Sequence, residues 1–202
     1  MKRKPCLFWY PAAFTVLLVL ACDELLPPDG GLEPTGTPFT LHPGIAVIAI
    51  AGSVRNFSPN GQFALDMTIR SKTSSSVSDT LPAGLLLVST KRQVQHMVLL
   101  KPHIITAGSS ATLVVLGTFC CNEFREIPNA NDSFALGPIT DNAGLNQIIA
   151  IIRHKNISND LGMVQRAVWM VTDSTGLTQA YIDSLNALPA DTLMIPGRRK
   201  SE

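Results

Sequence analysis

The residues of this chain best suited to covalent chemistry are its four cysteines, Cys6, Cys22, Cys120 and Cys121. A thiolate can act as nucleophile, metal ligand or disulfide partner, and its surroundings decide which. Cys120 and Cys121 are neighbours in Phe119-Cys120-Cys121-Asn122, at the end of the apolar run from Ala111 to Thr118. A strand turns successive side chains to opposite faces, so Cys120 groups with Val114, Leu116 and Thr118, and Cys121 with Leu113, Val115 and Phe119. Both sets are largely apolar, which predicts a covering layer on each side and one thiol facing each layer. The pair is open to several readings: two buried structural thiols, a strained vicinal disulfide, or a redox or metal role. His42, His96, His103 and His154 fall at no metal-ligand spacing. There is no His-Glu-x-x-His, phosphate-binding glycine loop or nucleophile elbow. No catalytic residue, metal site or cofactor is therefore expected.

Cys22 has a different context. Lys2, Arg3 and Lys4 precede an uncharged apolar stretch from Leu7 to Ala21, the layout of a secretory signal. Those fifteen residues, interrupted by Pro11, are too few for a spanning helix, which needs about 20. Val19-Leu20-Ala21-Cys22 resembles the bacterial lipobox, in which a small residue precedes a cysteine that is acylated before cleavage. The resemblance implies a type II signal peptide over residues 1–21 and a lipid-modified Cys22 as first residue of the mature chain. The product is then an exported lipoprotein held at the inner or outer membrane of a bacterial cell envelope.

Loss of residues 1–21 removes three of the sixteen basic residues and none of the fifteen acidic ones, so the net charge moves from +1 to −2. No basic patch stands out, and nucleic-acid binding is not expected. With Cys22 lipidated, two cysteines remain, too few for a disulfide framework.

Elements that would position Cys120 and Cys121 can be read from patterning. Residues 22–44 are rich in Pro and Gly and read as a tether after the lipidated cysteine. A single globular domain is expected over 45–195, with a disordered tail at 196–202. Its first part, 45–127, carries strand signals: Ile45–Ala51, the alternation of Phe63, Leu65, Met67 and Ile69 with Asp66, Thr68 and Arg70, then Leu85–Val88, Val94–Leu100 and Ala111–Thr118. Its second part, 138–190, carries helical stripes: Leu145, Ile148, Ile149 and Ile152 after Asp141, Val164, Val168 and Val171 after Asp160, and Ile182, Leu185 and Leu188 after Thr178. The expected class is α+β, an antiparallel β-sandwich followed by two or three packed C-terminal helices. Leu81-Pro82-Ala83-Gly84 and Ile105-Thr106-Ala107-Gly108 are similar to lead-ins of immunoglobulin-like bacterial surface modules, which implies an immunoglobulin-like sandwich.

Val164-Gln165-Arg166-Ala167-Val168-Trp169 resembles the apolar-Gln-x-x-apolar-Trp motif of thioester adhesin domains, and Phe119-Cys120 their aromatic-Cys motif. The resemblance implies that Cys120 condenses with Gln165 to give a shielded electrophile that captures amines. The leading expectation is a non-enzymatic, lipid-anchored envelope module that binds a protein or glycan partner through loops or a sheet face. The alternatives are the thioester adhesin with its Cys120–Gln165 crosslink, and a hydrolase or redox enzyme without a recognisable motif.

Overall fold

The computed structural model describes residues 31–55, 58, 60–173 and 176–191. Cys6, Cys22, the expected signal peptide 1–21 and the expected tail 196–202 lie outside them. The strands are β1 (Gly36–Thr37), β2 (Ile45–Gly52), β3 (Phe63–Ser71), β4 (Val77–Leu81), β5 (Leu85–Ser89), β6 (Met97–Val98), β7 (His103–Ala107), β8 (Thr112–Cys120) and β9 (Phe134–Thr140). The helices are α1 (Ala143–Ile152), α2 (Leu161–Thr172) and α3 (Gln179–Asn186). The class is α+β.

Strand pairing is antiparallel throughout. A seven-stranded sheet runs in the order β1-β9-β5-β6-β8-β3-β2, and β4 and β7 form a separate two-stranded sheet. The alternation along β3 buries Leu65, Met67 and Ile69 on one face and leaves Asp66, Thr68 and Arg70 less covered. These three side chains join Leu81, Leu85, Leu87, Met97, Ile105, Leu116 and Cys120 in one core cluster. A second cluster lies under the helices and contains Phe119 of β8 and the following Cys121 with Leu145, Ile148 and Ile152 of α1, Val164, Ala167 and Val168 of α2, and Leu185. The two cysteines therefore face different layers, as pleating requires.

Several boundaries differ from the sequence reading. The folded chain begins before residue 45: β1 pairs with β9 at Gly36↔Thr140 and Thr37↔Ile139, and Leu32 is buried in the helix-side cluster, so only part of 22–44 can be a free tether. The helical part begins at Ala143 rather than 138, because β9 runs to Thr140. The cap of α1 is Asn142, not Asp141; its side chain accepts from the Leu145 N–H at 2.9 Å. Asp160 occupies the cap position of α2 without a side-chain cap bond, whereas Thr178 caps α3 by accepting from the Tyr181 N–H. Gly176 follows α2 in the left-handed region at φ +70°, and its N–H reaches the Met170 carbonyl at 2.7 Å. Among the described residues no helix is long and apolar enough to cross a membrane.

Candidate functional site

The site is built where β8 outruns its neighbour. β3 accompanies β8 as far as Phe63↔Thr118, while β6 pairs with it at Val98↔Phe119 and Met97↔Cys120. The Cys121 N–H donates to the His96 carbonyl at 2.9 Å, on the β6 side. Successive residues of a strand turn their main-chain groups to opposite edges, so those of Cys120 point to the β3 side, past the last β3 pair. A buried amide pair left without partners there would cost about 1–3 kcal/mol per group.

Gln165 of α2 takes that place. Its Oε1 accepts from the Cys120 N–H at 2.9 Å and its Nε2 donates to the Cys120 carbonyl at 2.8 Å, so one side-chain amide acts as a strand partner. Helix periodicity explains how it gets there: Val164, Ala167 and Val168 bury into the helix-side cluster, α2 packs on β8, and Gln165, itself only 3% exposed, is carried against the strand end. The sequence motifs paired Cys120 with Gln165, and the fold brings them together across forty-five positions.

The third candidate, Cys121, is not part of that contact. Its side chain lies in the helix-side cluster, where Sγ stands 3.9 Å from the Phe119 carbonyl. Neither cysteine is bridged. Burial pushes both thiols well above their ordinary range, for Cys121 with the charges at Cys120 and Asp173 adding to the effect. A thiol held neutral in this way exchanges poorly with thiols in bulk solution, so any reaction of it depends on a target held against it.

Around the pair is a set of buried polar groups that motif reading did not single out. Gln95 Oε1 accepts from the Asn122 N–H at 3.3 Å and from the Trp169 indole at 3.4 Å, while its Nε2 donates to the Arg125 carbonyl at 3.0 Å. Asn122 Oδ1 accepts from the His96 N–H at 3.1 Å. Asp173, at the end of α2, accepts from Thr172 Oγ1 at 2.8 Å and the Glu123 N–H at 3.2 Å. Its carboxyl is held above the usual range, chiefly by burial. His96 Nδ1 accepts from the Ser89 N–H at 3.1 Å, and the Arg125 guanidinium stands 3.3 Å from Nε2. Burial, and next the Arg125 charge, lower the His96 pKa. Among the described residues, Asn122 Nδ2, Arg125 Nε and Asp173 Oδ1 are buried without a partner. The signal that could have found this set was the polar pair Gln95-His96 inside an apolar run, since buried polar groups need partners.

Among the described residues no three His, Cys, Asp or Glu side chains are grouped to hold a metal ion. The Gln165 amide is held against the Cys120 main chain, through its N–H and its carbonyl. The Cys120 N–H polarises the Gln165 carbonyl, as a donor in an oxyanion hole does, in a place from which water is excluded. No family model, curated protein or solved structure matches this chain.

Proposed function

We propose that the chain is a lipid-anchored module of a bacterial cell envelope that holds amine-bearing partners covalently, through an internal thioester between Cys120 and Gln165. The observation that carries this reading is the pair of hydrogen bonds between the Gln165 amide and the Cys120 main chain. In the condensation Cys120 Sγ attacks Gln165 Cδ, the S–C bond forms as the C–N bond breaks, and Nε2 leaves as ammonia with the thiol proton. A partner's primary amine then attacks the same carbon, forming an amide and returning the Cys120 thiol. The Cys120 N–H supports the oxyanion in both steps, and burial among Met97, Leu116 and the partly buried Trp169 slows hydrolysis. Cys22 supplies the membrane attachment.

The fold reading belongs to the same proposal. We take the β4–β7 pair and the seven-stranded sheet as the two layers of an immunoglobulin-like sandwich, because Leu81, Ile105 and Ala107 share one core cluster with Leu65, Met67 and Leu85. A non-covalent binding module is the second reading. It is favoured by Phe124 and Ile127, 83% and 54% exposed on the connection that follows Cys121, which an apolar partner surface would cover.

Incubation with a biotinylated primary amine tests the first reading. Label that survives denaturation in the parent chain, and is lost in both Cys120→Ala and Gln165→Ala, is the expected result. Equal labelling of parent and variants, or none in freshly folded protein, rules the thioester out.

A further inference from the structure

α1 is apolar on more than the stripe it buries. Leu145, Ile148 and Ile152 enter the helix-side cluster, while Asn146, Ile149, Ala150, Arg153 and His154 lie on a second face at helical spacing. That face lines a half-open cavity of about 610 Å³, closed on its other sides by Thr80–Ala83 before β5 and Leu100–Pro102 before β7. The volume falls within the roughly 300–1,000 Å³ of small-molecule sites. None of its lining residues belongs to the Cys120–Gln165 site.

The walls are fixed. Lys101 Nζ donates to the Lys155 carbonyl and to Asp191 Oδ2 at 2.6 Å, and the Asp191 N–H donates to the His154 carbonyl at 2.9 Å, which ties the end of α1 to the strand layer. The rim is cationic. Lys101 is already neutralised by Asp191, but the exposed Arg153 has no hydrogen bond or ion pair to any described residue. Asp79, adjacent to the lining residue Thr80, spends its oxygens on the main-chain N–H groups of His42 and Thr80. The cavity therefore presents an apolar floor of Pro82, Leu100, Ile149 and Ala150 under an uncompensated guanidinium and an imidazole.

We infer that this cavity binds a free single-chain amphiphile with an anionic head, its tail along Leu100, Ile149 and Ala150 and its carboxylate at Arg153 and His154. The apolar floor supplies affinity in proportion to the chain buried, and a carboxylate matches the fork of the guanidinium. A neutral amphiphile of equal length satisfies the floor and leaves the rim uncompensated.

Calorimetric titration of the full chain with sodium decanoate, below its micelle concentration, tests this. Saturable binding at one site is expected, weakened about tenfold or more by Arg153→Glu, as loss of a charged hydrogen bond predicts. Ile149→Trp, which fills the floor, should abolish it, and decanol should bind more weakly than decanoate. Far-UV circular dichroism checks that each variant is folded; Arg153 is exposed, so its variant stays informative if Ile149→Trp unfolds. Absence of saturable heat, or equal affinity in the parent and Arg153→Glu, overturns the proposal. Retention of Cys22→Ser protein on phosphatidylglycerol vesicles without decanoate binding would overturn it too, by placing a lipid surface at the rim.

Discussion

The side-chain amide of Gln165 spans the main chain of Cys120, accepting from its N–H and donating to its carbonyl at 2.9 and 2.8 Å. It continues the ladder that β3 leaves at Phe63↔Thr118, and it fixes α2 to the end of β8. One pair of hydrogen bonds thus serves the fold and holds the Gln165 amide against the Cys120 main chain. The structural part can be measured apart from the chemistry.

Gln165→Met keeps the length of the side chain and removes both partners of Cys120. Two buried main-chain groups losing partners at about 1–3 kcal/mol each should lower stability by roughly 2–6 kcal/mol. Chemical denaturation of the parent and variant, compared at equal m-value, gives the figure. A loss below about 0.5 kcal/mol would mean that the ladder does not need Gln165.

Alkaline stability follows from Cys121. Its folded pKa is raised above the unfolded value of about 8.5, so its contribution is fully present below that pH and declines as pH rises beyond it. Between pH 8.5 and 9.5 the unfolding free energy should fall with a limiting slope of about 1.4 kcal/mol per unit for this thiol. Cys121→Ala should remove that slope while lowering stability at pH 7 through the lost packing. An unchanged slope in the variant would assign the alkaline loss elsewhere.

Acid has the opposite sign at His96. Its folded pKa is lowered by burial and by Arg125, and Nδ1 must stay unprotonated to accept from the Ser89 N–H. Stability from this group is present above the unfolded pKa of about 6.5 and is lost as pH falls below it. His103, lowered by burial, adds to the same window. Thermal unfolding of His96→Gln should therefore show a smaller drop in midpoint from pH 7 to pH 5 than the parent shows. An equal drop would remove His96 from the account.

Membrane attachment is carried by one sulfur in this proposal. Expressed in a bacterium with its signal segment, the parent should partition into the detergent phase of Triton X-114, and Cys22→Ser into the aqueous phase. Aqueous partition of the parent would contradict the lipobox reading.

The sequence made some of this arrangement legible for physical reasons. Alternation along β3 and the apolar runs on both faces of β8 are period-two signals that burial enforces, and both are seen in the two core clusters. The Cys120–Gln165 contact was accessible through local motifs, since the carboxamide needs only its helix face and the strand end. Other elements were hidden. β4 lies next to a Ser/Thr-rich stretch that reads as turn, and β1 within Pro/Gly-rich sequence whose pairing is set by β9. β9 contains Gly137-Pro138 beside a register shift against β5, so its period is broken where a proline is tolerated. Val94–Leu100 reads as one strand, but only Met97–Val98 forms a ladder, while Val94 makes an isolated bridge to Glu126 and the N–H groups of Val94 and Gln95 donate to Lys91 and Glu126. The polar set around Gln95, Asn122 and Asp173 depends on contacts between distant segments, which no local period reports.

The most direct test is the intact mass of freshly purified protein made without residues 1–22, in acid and without reductant. The account predicts a mass lower than the sequence by one ammonia, restored by addition of methylamine with release of a free Cys120 thiol, and absent in Cys120→Ala. A full sequence mass with both Cys120 and Cys121 alkylated on unfolding would contradict it.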